Sequence, residues 1–187
     1  GTGGEGANLE EVTFEGYASN GIAVFVEATT DNNNRTVANV RAVFTKYGGE
    51  LGTNGSLGFL FDRKGVFTLN KEKLEGKDLE ELEMELIDGG LEDLDTSDDA
   101  SVVAYTSFED FGNMQKLLDE LSIEIENADL QRIPTSTNAL EIEAAKQVMK
   151  LIDKMEEEDD VNTVYHNLEM TEELSLIHIS EPTRPLH

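Results

Sequence analysis

Strand-type alternation gives way to helical spacing four times along this chain, each time for a single helix, and that rhythm constrains the fold more than any other feature. Val12-Thr13-Phe14-Glu15-Gly16-Tyr17-Ala18 alternates apolar and polar residues, and Ile22–Ala28 is a short run rich in strand formers. Asn20-Gly21 between them is a hairpin signal, because both residues tolerate the positive φ that tight hairpins need. Val37, Val40, Phe44 and Tyr47 then recur at i, i+3, i+7 and i+10, which predicts a helix over 35–47 ended by Gly48-Gly49. Leu57–Phe61 and Val66–Leu69 read as two strands around an Asp62-Arg63-Lys64-Gly65 turn.

The pattern repeats with different punctuation. Asp78 can cap a helix bearing Leu79, Leu82 and Leu86, ended by Gly89-Gly90. Glu92–Asp99 reads as a short strand and loop, and Val102–Thr106 as a strand. Ser107-x-x-Asp110 resembles a capping box before a helix presenting Phe111, Met114, Leu118 and Leu121. Glu124–Ile133 is a strand stopped by Pro134. Asn138-x-x-Glu141 caps a long helix with Ala145, Val148, Ile152 and Met155 on one face, and Asp160–Leu168 is the last strand.

The order ββαββ, αββαβ, αβ implies the α+β class: two α/β sandwich domains, each with helices on one face of an antiparallel or mixed sheet. The first five elements do not readily close a sheet alone. Residues 71–134 are therefore expected to be an inserted domain, with 10–70 and 135–170 forming one discontinuous domain around it. Residues 1–9 begin Gly1-Thr2-Gly3-Gly4-Glu5-Gly6 and read as a linker remnant of a chain cut in a flexible segment. Residues 174–187 hold two of the three prolines and two of the three histidines without periodicity. The stretch Leu176–Pro185 resembles a translated sequencing adapter, so this tail is read as non-native.

Charge divides the chain in the same places. Of its 187 residues, 40 are acidic and 14 basic, a net of −26. Residues 1–70 carry −3, residues 71–135 carry −15 and residues 136–187 carry −8. A segment as acidic as the middle one repels polyanions, since phosphate binding depends on Lys and Arg displacing counterions. Any nucleic-acid contact is expected from the first 70 residues. With no cysteine, disulfide scaffolds, Cys-ligated zinc and cysteine catalysis are excluded. No apolar run approaches the roughly 20 residues of a membrane span.

Catalytic chemistry finds little support. Gly48, Gly49, Gly52 and Gly55 cluster, but no Gly-Lys-Ser/Thr follows and the glycines close a helix instead of opening one. Asp93-x-Asp95-x-Ser97 starts like a calcium loop, yet the sixth and twelfth positions are Asp98 and Ala104 where glycine and glutamate are needed. His166 is the one histidine outside the tail, in a predicted strand with no evident nucleophile beside it. Neither a metal nor a cofactor is expected. The polar loop Thr30–Thr36 opens a helix, and helix N-termini suit phosphate. Arg35, Arg41 and Lys46 add charge nearby. On physics alone, ordinary capping with solvated bases is the favoured account of these residues.

These residues also carry a resemblance. Phe14-Glu15-Gly16-Tyr17, Gly21-x-Ala23-Val24, Thr30-Asp31-Asn32-x-Asn34-Arg35-Thr36-Val37-Ala38-x-Val40-Arg41 and Phe44-x-Lys46-x-Gly48-Gly49-x-Leu51-Gly52-Thr53-x-Gly55-Ser56 resemble the YebC/PmpR family. The likeness resumes at Ile133-Pro134, at Leu151-Ile152-Asp153 and from Asp159-Asp160-Val161 through Val164-Tyr165-His166-Asn167, covering about residues 10–168. That family includes the mitochondrial translational activator of cytochrome oxidase subunit one. The resemblance implies a three-domain protein whose third domain is inserted into the second. It also implies a basic helical first domain of roughly 75 residues that is absent here.

Family members are described as DNA-binding transcriptional regulators and as ribosome-associated translation factors that relieve stalling. The expectation is thus a non-enzymatic regulator in the cytoplasm, or in the mitochondrial matrix for an organellar homologue. Its partners would be DNA or the ribosome, held mainly through the missing domain, with no membrane and no small-molecule substrate. Asn32, Asn34, Arg35, Thr36, Arg41 and Lys46, with Gly48, Gly49, Thr53, Gly55 and Ser56 of the following turn, are expected to form one secondary contact surface. The alternative is an acidic protein-interaction module that makes no direct nucleic-acid contact.

Overall fold

The computed structural model of the chain describes residues 8–180, with side chains to residue 177. It is a mixed α+β protein with two four-stranded sheets and five α-helices among those residues. The chain divides into two compact units, one built from residues up to Phe61 and from Pro134 onward, the other from Asp62–Ile133.

In the first unit, β1 (Glu10–Tyr17) and β2 (Ala23–Thr30) pair antiparallel around a tight turn over Ser19–Gly21. Asn20 and Gly21 both take positive φ there, 63° and 74°. Helix α1 (Asn33–Lys46) follows, then the two-residue strand β3 (Glu50–Leu51) against β1. After the other unit, α4 (Ile142–Glu156) and β8 (Val161–His166) return, and β8 pairs antiparallel with β2, giving the sheet order β3-β1-β2-β8. Side chains alternate across β2. Val24, Val26 and Ala28 pack with Val40, Phe44, Val148, Leu151 and Met155 of the two helices. Ala23 and Phe25 face the other way, into a smaller cluster with Leu57 and Phe61.

The second unit contains β4 (Phe61–Asn70), α2 (Leu79–Leu86), β5 (Leu91–Asp95), β6 (Ser101–Ser107), α3 (Phe111–Glu120) and β7 (Asn127–Pro134), with sheet order β5-β6-β4-β7. Phe67, Leu69, Leu82, Leu86, Val102, Met114 and Leu118 form its core. Asp78 caps α2, accepting from the amide of Glu80. Lys71 donates to the carbonyls of Thr96 and Asp98, fixing the acidic loop after β5.

Several sequence expectations are corrected. Residues 61–70 are one continuous strand of the second sheet. The Asp62-Arg63-Lys64-Gly65 turn does not form, and residues 62–70 fall in the second unit, not the first. Its pairing with β6, a long-range partner, decides this over local turn propensity. Residues 54–60 are turn, not strand. Asn138 does not cap α4; its N–H donates to Asn167 O and its carbonyl accepts from Glu169, a parallel bridge beside Leu168. The first part of the tail is helical, α5 (Glu172–Ser180), with Leu174 in the core. Residues 181–187, and most of the 1–9 segment, lie outside the described residues.

Candidate nucleic-acid interface

The start of α1 is built on hydrogen bonds. Asn32 caps it, its side chain accepting from the amide of Arg35 at 3.2 Å, and Thr30 Oγ1 accepts from the amide of Asn32 at 2.9 Å. Thr36 is buried and its hydroxyl lies 2.6 Å from Asp160 Oδ2 and 2.7 Å from Thr30 Oγ1. Arg35 Nη2 sits 3.1 Å from both oxygens of Asp160 and 3.1 Å from Asp31 Oδ1. The Asp160 carboxyl is held below its ordinary range, first by the Thr36 hydroxyl and then by Arg35, with desolvation opposing. Arg35 is raised, chiefly by its hydrogen bond to Asp160. A carboxylate of the chain itself therefore stands at the first turn of α1, held by the side chains of Thr36 and Arg35.

The other end of α1 is close-packed. A Cβ on Gly49 would stand 2.5 Å from Tyr17 O, and one on Gly16 would stand 2.6 Å from Glu50 O and 2.8 Å from a Phe44 ring carbon. Gly48 takes φ +86°, which favours glycine. These approaches seat the helix C-terminus on β1 and turn the chain into β3. Lys46 is exposed, 5.6 Å from the Tyr47 ring centroid, and Arg41 is exposed about one and a half turns back. Neither has a carboxylate partner among the described residues.

The loop 52–60 crosses to the opposite face of the sheet, where Leu57 joins Ala23 and Phe25. Glu15 organises it. This carboxylate is 4% exposed and accepts from the amides of Gly55 at 2.6 Å and Leu57 at 2.7 Å, while its own carbonyl accepts from Gly52 at 2.8 Å. Thr53, Gly55 and Ser56 are exposed on this loop, and Phe59 is 83% exposed.

The expected contact residues thus fall in three places. Asn32, Asn34, Arg35 and Thr36 gather at one end of α1. Lys46, Gly48 and Gly49 lie at the other end, about 20 Å away at 1.5 Å per residue, with Arg41 between. Thr53, Gly55 and Ser56 are across the sheet. Two of these residues are spoken for: Thr36 is buried, and the charge of Arg35 is balanced by Asp31 and Asp160. Glu15 and Phe59 are functional candidates that sequence reasoning misses. An acid at an outward strand position, Phe14-Glu15-Gly16, is the one available signal for Glu15.

Other sequence candidates find ordinary roles. His166 Nδ1 accepts from the amide of Leu168 at 3.1 Å. Asp95, from the calcium-like run, accepts from the hydroxyl and amide of Ser97, which hold its carboxyl below the usual range. No helix among the described residues is long and apolar enough to cross a membrane.

Residues 9–168 match the family model described as the TACO1/YebC second and third domain. This chain belongs to the TACO1/YebC family. Within that family it is 48% identical over 171 residues to a probable transcriptional regulatory protein of Cytophaga hutchinsonii, covering 91% of this chain and 70% of that one. A probable transcriptional regulatory protein of Amoebophilus asiaticus is 49% identical over 163 residues, covering 87% and 66%. The YebC-family chain thus spans about two thirds of the length of these relatives. Its fold is similar to the crystal structure of the conserved hypothetical protein Aq1575 from Aquifex aeolicus, with a TM-score of 0.75 and 40% identity, covering 89% of this chain and 68% of that one.

Proposed function

We propose that this YebC-family chain is part of a gene-expression regulator that acts by binding and not by catalysis, with α1 contributing a nucleic-acid contact through Arg41 and Lys46. The charge of that helix carries the reading. Asn33–Lys46 holds three cations and no acid, in a chain of net −26. Every Lys and Arg of the first unit's described residues lies on α1 or α4: Arg35, Arg41, Lys46, Lys146, Lys150 and Lys154. Arg35 is neutralised at home; Lys146 and Lys154 stand 3.5 and 3.6 Å from Glu143 and Glu157. Arg41 and Lys46 of α1 and Lys150 of α4 are left without a carboxylate partner among the described residues; the two on α1 share a helix that carries no acid, and these are the ones assigned to phosphate. The names of the relatives support a regulatory role.

Two cations on a helix grip the phosphate backbone of DNA or RNA alike. The exposed side chains of α1 also include Asn34, Asn39 and Thr45, which hydrogen-bond phosphate, sugar or base edges alike, so the helix suits DNA and RNA equally. The larger share of affinity belongs to the part of the longer relatives that this chain does not span.

The test is an Arg41→Glu/Lys46→Glu variant, titrated against duplex DNA and against ribosomes over a salt series. Affinity falls about tenfold or more, and the slope of log affinity on log salt shrinks by about two. An unchanged slope removes α1 from the interface.

A second reading rests on the other unit. Residues 62–133 hold 21 acids and 7 bases, net −14, a surface that suits a basic protein partner. Photo-crosslinking from position 41 separates the two: contacts to protein alone favour this second reading.

A further inference from the structure

We propose that Phe59 is a stacking platform for an unpaired nucleobase, on the sheet face opposite α1; this deepens the nucleic-acid reading and rests on it. At 83% Phe59 is more exposed than Met84 (71%), Leu9 (66%) or Leu176 (62%). Its neighbours Leu57 and Phe61 are buried, so the loop has an inward face and Phe59 is directed away from it.

The backbone that presents the ring is fastened on both sides. Upstream, the Glu15 carboxylate accepts from Gly55 and Leu57. Downstream, Leu60 N–H donates to Leu57 O at 2.9 Å, Thr135 N–H donates to Leu60 O at 2.9 Å, and the Thr135 hydroxyl lies 3.4 Å from Phe59 O. A buried carboxylate spent on two loop amides fixes a short segment whose outermost side chain is an aromatic ring in water. With the backbone fixed, only the two side-chain torsions of Phe59 remain to be ordered when a flat partner covers the ring.

The surroundings select the partner. Residues 51–60 carry no charge, and the exposed residues Thr53, Asn54, Ser56 and Gly58 that precede Phe59 in the loop are small or polar. An apolar protein pocket is met by a contiguous apolar patch, which a lone ring among glycines and hydroxyls does not offer. A base offers a π-face to the ring and polar edges to the hydroxyls and amide. Bases inside a duplex are already stacked, so the ligand is a loop or single strand of RNA or DNA.

The experiment uses three probes: a hairpin RNA with 2-aminopurine in its loop, the deoxyribose copy, and a fully paired duplex of equal length. The wild-type chain quenches the 2-aminopurine at saturation and prefers a looped probe over the duplex by about tenfold. Phe59→Ala abolishes quenching and preference while leaving duplex affinity and Tm unchanged; Phe59→Trp keeps both. The two sugars distinguish an RNA from a DNA source, and quenching by either supports the platform. Persistence of quenching and preference in Phe59→Ala overturns it and leaves the α1 reading standing. A Tm loss of several degrees in that variant also overturns it, because the ring would then be packed on the protein itself. Absence of wild-type binding to all three probes defeats the α1 reading and this one together.

Discussion

The hydroxyl of Thr36 donates to Asp160 Oδ2 at 2.6 Å, tying the first turn of α1 to a residue 124 positions later, just before β8. Asp160 also meets Arg35, yet the two partners are unequal. Thr36 is buried, whereas the Arg35 side chain is 47% exposed. Thr36→Val removes a hydrogen bond to a charged group without changing shape and is expected to cost about 1.5–3 kcal/mol. Arg35→Ala breaks solvent-exposed ion pairs to Asp31 and Asp160 and is expected to cost less than Thr36→Val. Urea unfolding of both variants checks the ranking.

Acid should reveal the same contact. The folded-state pKa of Asp160 is lowered, so its interactions stabilise fully above the unfolded carboxylate value of about 3.9 and fade as pH falls through the folded one. The stability gap between wild type and Asp160→Asn is expected to stay constant from about pH 5 upward and to close below about pH 4. Glu158 behaves oppositely: burial first, then Asp159, Asp160 and Glu157, raise its pKa. Its charged form is a burden at neutral pH. Glu158→Gln melts higher than wild type at about pH 7, and the advantage disappears as the pH approaches about 4.

Glu15 reports on the loop. Glu15→Ala leaves the amides of Gly55 and Leu57 without their acceptor and is expected to cost about 2–3 kcal/mol. Glu15→Gln keeps one acceptor oxygen and costs less. Amide hydrogen exchange at these two positions, measured by NMR, should accelerate in both variants while the β1–β2 ladder stays protected.

Glycine substitutions should split in sign. Gly49→Ala sets a methyl 2.5 Å from the Tyr17 carbonyl, a backbone atom that cannot step aside, and is expected to lose about 2–3 kcal/mol. Gly112 lies in the first turn of α3, where an added methyl would meet nothing within 4 Å, and Gly112→Ala should gain about 0.5–1 kcal/mol. Thermal denaturation of each reads the difference directly.

Local signals made much of this fold legible. The spacing of Val40 and Phe44, the Gly48-Gly49 stop, the Asn20-Gly21 turn and the Asp78 cap all act within a few residues of themselves, and each appears where local chemistry asks for it. The candidate site was less legible. Arg35 and Arg41 look equivalent on one helix, but one is paired and the other has no carboxylate beside it. The aromatic Phe59 reads as part of a strand, Leu57–Phe61, until the fold shows that segment to be a turn.

Most of the alternation of strands and helices, the Asp78 cap, the Gly48-Gly49 stop and the steep acidity of the middle segment were determined by the residues themselves, because propensity, capping and charge are short-range properties. Which sheet receives Phe61–Asn70, which cation remains free and which carboxylate holds the loop were decided by tertiary structure alone. Each depends on a partner far away in the chain: β6 for the strand, Asp160 for Arg35 and Glu15 for Gly55 and Leu57. Such pairings are chosen by the packing of the whole unit, where burial and hydrogen bonding outweigh what neighbouring residues prefer.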